Sequence, residues 1–275
     1  MYSTIITSTE LMANLGTPGW RVFDCRFSLA DTAAGARAYA AGHIPGAVYV
    51  NLDQDLSGPP RTDHGRHPLP SPDSLVALFS RLGIDETTQV VVYDDARGAI
   101  AARMWWLLRY MGHSAVAVLD GGWQAYLAAG GQPSSAAVDA PEVTTFKGQP
   151  DASRVVLLDA VPAVSQLVDA REPARYAGQQ EPIDPVAGHI PGAINRCWQL
   201  NVSESGFLPQ ETLAASWREV LGTAPDADTV HYCGSGVTAC HNVLAQVAAG
   251  FPMPRLYCGS WSEWCRDASR PVASR

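Results

Sequence analysis

The chain has 275 residues, 47% of them hydrophobic and 17% charged, and its 27 acidic against 19 basic side chains give a formal charge of −8. That much apolar material excludes a disordered chain and allows one large core or two small ones. The acidic balance, with no Lys/Arg run to reverse it, argues against a nucleic-acid partner, and no segment approaches the ~20 apolar residues needed to span a bilayer.

Met1 to Asn14 has neither a basic start nor a long apolar run. The expectation is a cytoplasmic protein with no membrane partner. Its six cysteines, Cys25, Cys197, Cys233, Cys240, Cys258 and Cys265, form no CxxC pair and read as reduced thiols in such a compartment.

Along the first half come Phe23-Asp24-Cys25-Arg26 and then Gly42-His43-Ile44-Pro45-Gly46-Ala47, a turn that leads into a strand. Val90–Tyr93 reads as a buried strand, Ala99–Met111 as a helix carrying the core residues Trp105 and Trp106, and Leu119-Asp120-Gly121-Gly122-Trp123 follows. The stretch Ala128–Pro150 is rich in Gly, Pro and Ser and reads as a linker.

The second half repeats the first. Val168-Asp169-Ala170-Arg171, then Gly188-His189-Ile190-Pro191-Gly192-Ala193, then Tyr257-Cys258-Gly259-Ser260-Trp261 answer the earlier segments in the same order, at a spacing of about 140 residues. Thr229–Tyr232 answers the Val90–Tyr93 strand, and Val237–Ala249 is the helix after it. Two homologous domains follow, 1–135 and 153–275, joined by a linker at 136–152. Alternating strands and helices predict an α/β fold: two tandem domains, each a central, mainly parallel sheet flanked by helices. His43 and His189 occur in both halves and read as turn-stabilising, while His231, His241, Trp261 and Cys240 read as packing residues.

The halves diverge at one place. Strand 229–232 runs into Cys233-Gly234-Ser235-Gly236-Val237-Thr238 and a helix, whereas strand 90–93 runs into Asp94-Asp95-Ala96-Arg97-Gly98. A cysteine at the carboxyl end of a parallel strand, before a glycine-rich turn and a helix N-terminus, sits where α/β folds place ligands. Backbone N–H groups and the helix's positive end favour thiolate over thiol there. Because the first half keeps the fold without the cysteine, Cys233 is assigned to chemistry rather than packing.

The doubled domain, the two GHIPGA segments, the CGSGVTA loop and the GSWSEW tail resemble the two-domain rhodanese family, and the loop resembles that of its 3-mercaptopyruvate sulfurtransferases. The resemblance implies an inactive N-terminal domain, a catalytic C-terminal domain, a site in the cleft between them, and no metal or other cofactor. It implies that Cys233 takes sulfur from a small-molecule donor as a persulfide held by Gly234, Gly236, Val237 and Thr238, and passes it to cyanide, a thiol or a thioredoxin-like protein. Family members specific for thiosulfate, a dianion, carry basic residues after the cysteine. Gly234 and Ser235 are neutral here, which favours the monoanionic 3-mercaptopyruvate. Thiosulfate and a non-catalytic sulfur-carrier role are the alternatives. A cysteine phosphatase of the same fold needs an Arg where Ala239 stands.

A carboxylate donor needs a cationic clamp. By resemblance Arg175 supplies it, with Arg171 as a second candidate, although Arg171 has a counterpart in Arg26 of the other half. Many mercaptopyruvate enzymes place a further Arg shortly before the second GHIPG. Glu181-Pro182-Ile183-Asp184-Pro185 has none. Asp53, His67 and Ser235 match the family's Asp–His–Ser proton relay, with Asp53 and His67 expected in the first domain and Ser235 in the second.

Overall fold

The computed structural model describes residues 1–222 and 225–274, which divide into two compact units. In the first unit, five parallel strands are ordered Ile5–Ile6, Val116–Leu119, Gln89–Tyr93, Trp20–Asp24 and Val48–Tyr49. The central strand Gln89–Tyr93 is buried along its whole length, as a continuous apolar run in a two-sided parallel sheet must be. The following helix, Ala101–Tyr110, buries Trp105 and Trp106 completely.

The second unit carries four parallel strands in the order Arg255–Leu256, Val230–Tyr232, Leu167–Asp169 and Ile194–Asn195. Helices Thr238–Ala248 and Gln210–Leu221 pack on this unit. The expected α/β architecture is present in both halves. No helix among the described residues is long and apolar enough to cross a membrane.

The repeated sequence segments build the same small device in each unit. Pro45 and Gly46 form a turn closed by the Ala47 N–H on the Ile44 carbonyl at 2.9 Å, with Gly46 at φ +77°. Pro191 and Gly192 do likewise, with the Ala193 N–H on Ile190 at 3.1 Å and Gly192 at φ +83°. A positive φ at the third turn position selects glycine in both. His43 and His189 hydrogen-bond the carbonyls of Tyr39 and Tyr176 and stack on those rings, which is the turn-stabilising role expected of them.

The grouping into units departs from a cut at the linker in two segments. Gly58–Leu69 belongs to the second unit and Glu204–Phe207 to the first. Backbone fastening explains the former: the Arg66 N–H donates to Ser262 Oγ at 2.9 Å and Arg266 Nη1 to the Thr62 carbonyl at 2.9 Å. The expected linker is itself tied to the first unit. The Thr144 N–H donates to the Ser80 carbonyl at 3.0 Å, and Phe146 packs edge-on against Phe79.

Candidate active site

Cys233 directly follows the last residue of strand Val230–Tyr232 and is 2% exposed. Its N–H donates to Ser260 Oγ at 3.1 Å, and its carbonyl accepts the Trp261 N–H at 3.0 Å. The next carbonyl, of Gly234, accepts the Ser262 N–H at 2.8 Å. The loop is therefore pinned from behind by residues 260–262, and the thiol is left to face the loop's interior. There the Gly236 N–H donates to Cys233 Sγ at 3.2 Å. Gly236 is at φ +77°, and a Cβ on it would lie 2.3 Å from the Cys258 carbonyl oxygen, so no other residue fits. Val237 caps the helix and Thr238 is its first residue, so both stand at the positive end of an 11-residue helix.

The first unit shows what this loop geometry is suited to hold. Asp94 stands at the same strand end, and its carboxylate accepts the N–H groups of Ala96, Gly98, Ile100 and Ala101 at 2.8–2.9 Å. Burial pushes the Asp94 carboxyl up, while those four donors oppose the shift. The anion cradle read from the sequence around Cys233 is thus filled, in the other half, by a built-in anion.

His67 and Ser235 are both buried, and His67 Nδ1 lies 2.7 Å from Ser235 Oγ. Segment Gly58–Leu69, though it lies within the first repeat of the sequence, groups with the second unit, so His67 and Ser235 meet within one unit. Asp53 remains in the first unit, in the turn where its N–H donates to Asn51 Oδ1 at 2.9 Å. Partial burial pushes its carboxyl upward.

Arg175 has the outlook of a ligand-binding cation. Its Nε and Nη2 bond Glu181, and Nη2 also reaches Asp184 at 3.2 Å. Burial pushes the Glu181 carboxyl up, but hydrogen bonds from Arg175 and from the backbone of Asp184 and Ile183 more than offset it and hold the group below its ordinary value. Arg171 is different. Its guanidinium is 1% exposed and is consumed by Asp169, the Gly188 carbonyl and Glu181, with Trp261 over its face. Arg26 does the same with Asp24, the Gly42 carbonyl and Trp123. Arg171 thus repeats a structural bond of the fold, with its Nε, Nη1 and Nη2 all turned to protein acceptors.

A second guanidinium, Arg66, stands near Arg175 and was not among the residues the sequence pointed to. Arg66 Nη1 pairs with Asp184, and a Cβ placed on Gly234 would lie 3.2 Å from Arg66 Nη2 and 3.5 Å from Arg175 Nη1. Two guanidinium groups therefore flank the residue next to Cys233. Arg66 stands beside His67 in sequence, which was the available signal. Its partner Asp184 is 118 residues away, and nothing local announces the pair.

No group of three or more His, Cys, Asp and Glu suited to a metal ion occurs among the described residues. All six cysteines are buried and none is in a disulfide.

The profile of the rhodanese-like domain matches residues 7–129 and 153–267. A probable 3-mercaptopyruvate sulfurtransferase of Pseudomonas aeruginosa is 47% identical over 285 residues, covering 98% of each chain. A putative thiosulfate sulfurtransferase of Mycobacterium tuberculosis is 41% identical over 98% of this chain and 96% of its own. Among solved structures, the 3-mercaptopyruvate sulfurtransferase of Leishmania major superposes with a TM-score of 0.88 at 30% identity, over 98% of this chain and 76% of that one. The Escherichia coli protein SseA gives 0.80 at 29% identity, over 95% and 100%. With its two matched domains and these full-length relatives, the chain belongs to the rhodanese family and is an enzyme of the sulfurtransferase class.

Proposed function

We propose that the protein moves sulfur from 3-mercaptopyruvate through a persulfide on Cys233. One observation carries this reading: a strand-end cysteine whose sulfur receives a loop N–H lies beside two guanidinium groups held by buried carboxylates. The guanidiniums of Arg66 and Arg175 take the donor carboxylate as paired N–H donors, which a planar fork does better than an ammonium. This brings the donor's sulfur over Cys233.

Cys233 thiolate then attacks that sulfur. A bond forms between the two sulfurs, the carbon–sulfur bond breaks, and its electron pair leaves on carbon as the enolate of pyruvate. The enolate gains a proton, and the His67–Ser235 contact is the route by which one can be delivered. The persulfide's outer sulfur is held as an anion by the N–H groups of loop 234–238, as the Asp94 carboxylate is held in the other half. In the second half-reaction a nucleophile takes the outer sulfur and returns Cys233 as thiolate. Cyanide gives thiocyanate in an assay, and a thiol or thioredoxin-like protein is the acceptor proposed in the cell.

Thiosulfate is the second reading. Relatives named for it align over 98% of the chain, and sulfite would leave in place of the enolate. Intact-mass measurement after adding each donor tests the common step. The wild-type chain gains the mass of one sulfur atom and Cys233→Ala does not. An adduct that survives the substitution, or no adduct with either donor, refutes the assignment.

A further inference from the structure

Asp184 is buried between two arginines that come from separate stretches of the second unit. One carboxylate oxygen pairs with Arg66 from segment Gly58–Leu69, the other with Arg175 from helix Pro173–Tyr176. Its side chain is 3% exposed, as is that of Glu181, whereas those of Arg66 and Arg175 are 26% and 14% exposed. The carboxylates therefore lie behind and the guanidiniums in front. Arg66 Nη2 and Arg175 Nη1 hold no hydrogen bond among the described residues, and both stand against Gly234, next to Cys233. With Arg171, which joins Glu181 to Asp169, the connected cluster holds three arginines against three carboxylates and is formally neutral.

We infer that Asp184 is the positioning residue that sets which donor anion the enzyme accepts. The inference rests on the clamp proposed above. By bridging two guanidiniums it makes a two-arginine clamp from residues distant in sequence, at a place where Ile183 and its neighbours offer no cation. It also trims the clamp's charge. A monoanionic carboxylate needs two aimed N–H donors and little net charge to replace its hydration. A dianion loses far more hydration on entering the site and needs a net positive field in return. A neutral, bridged clamp thus favours a 2-oxo acid and disfavours a sulfur oxyanion.

The test is steady-state kcat/KM with 3-mercaptopyruvate and with thiosulfate, cyanide as acceptor, for the wild type, Asp184→Asn, Asp184→Glu and Arg66→Gln. Removing one negative charge and the anchor of Arg66 together raises the thiosulfate-to-mercaptopyruvate ratio in Asp184→Asn by about tenfold, the worth of one charge-assisted contact. The change appears mainly in KM. Asp184→Glu keeps the wild-type ratio, and Arg66→Gln loses mercaptopyruvate without gaining thiosulfate. A ratio within about twofold of wild type in Asp184→Asn, or an equal shift in Asp184→Glu, overturns the inference. Inhibition of the wild-type enzyme gives a second reading that needs no variant: pyruvate competes at lower concentration than sulfate, and the reverse order overturns it. If the wild type gains no sulfur on Cys233 or does not turn over 3-mercaptopyruvate, the clamp reading itself fails instead.

Discussion

Asp94 and Cys233 occupy the same step of a repeated fold: each follows the last residue of a buried strand, and each carbonyl accepts the N–H of a tryptophan, Trp123 at 2.8 Å and Trp261 at 3.0 Å. One half closes its loop around a carboxylate, and the other leaves the loop around a thiol.

Asp94→Ala strands four N–H groups, two buried and two partly buried, without an acceptor. The first unit is expected to lose at least about 3 kcal/mol of stability. Urea unfolding followed by tryptophan fluorescence measures this. Below the transition, sulfur loading of Cys233 stays intact, because Asp94 takes no part in it.

His67→Ala and Ser235→Ala are each expected to lower kcat/KM for the donor by about a hundredfold, the usual scale of a lost proton-transfer group. The double variant is expected to fall no further than the worse single one, since the two side chains act through a single contact. Additive losses in steady-state rates count against the relay.

Arg171→Met and Arg26→Met serve as a matched pair. Each removes the guanidinium from a buried aspartate, Asp169 or Asp24, at a cost of about 3–5 kcal/mol. The two should shift thermal unfolding comparably, and neither should change donor KM in the folded fraction. A KM effect confined to Arg171→Met would return that residue to the substrate clamp.

His231 is fully buried, and burial lowers its imidazole pKa from 6.5 to about 4, its Nε2 resting on Gln246. The unfolded chain takes up a proton near 6.5, while the folded one refuses it until about 4. The stability this neutral histidine contributes is fully present above pH 6.5 and is lost as pH falls toward 4, by about 3 kcal/mol over that window. Unfolding free energies across the window should therefore slope less in His231→Gln than in the wild type.

What could be read without coordinates was what repeats or what sits in local order. The two GHIPGA turns, the strand–cysteine–glycine–helix run and the helices after each central strand all leave a mark within a dozen residues. The Asp184 bridge leaves none, because an ion pair between residues 66 and 184 has no period and no local neighbour. No arginine precedes the second GHIPG, and the guanidinium that stands near Arg175 comes from far upstream, at Arg66. Arg171 was the opposite case. Its twin Arg26 in the other half makes the same bonds, so the repeat itself spoke for a structural bond.

Segment Gly58–Leu69 gives the duplicated chain a dependence that its repeat conceals. The second repeat, taken from residue 152 onward, would carry Cys233 and its loop yet lack both His67 and Arg66, which are encoded inside the first. Expressed alone, such a half should accept sulfur poorly, and adding a peptide that spans residues 58–69 is the natural route to restoring it. One copy thus lends a strip of its own sequence to the compact unit built by the other.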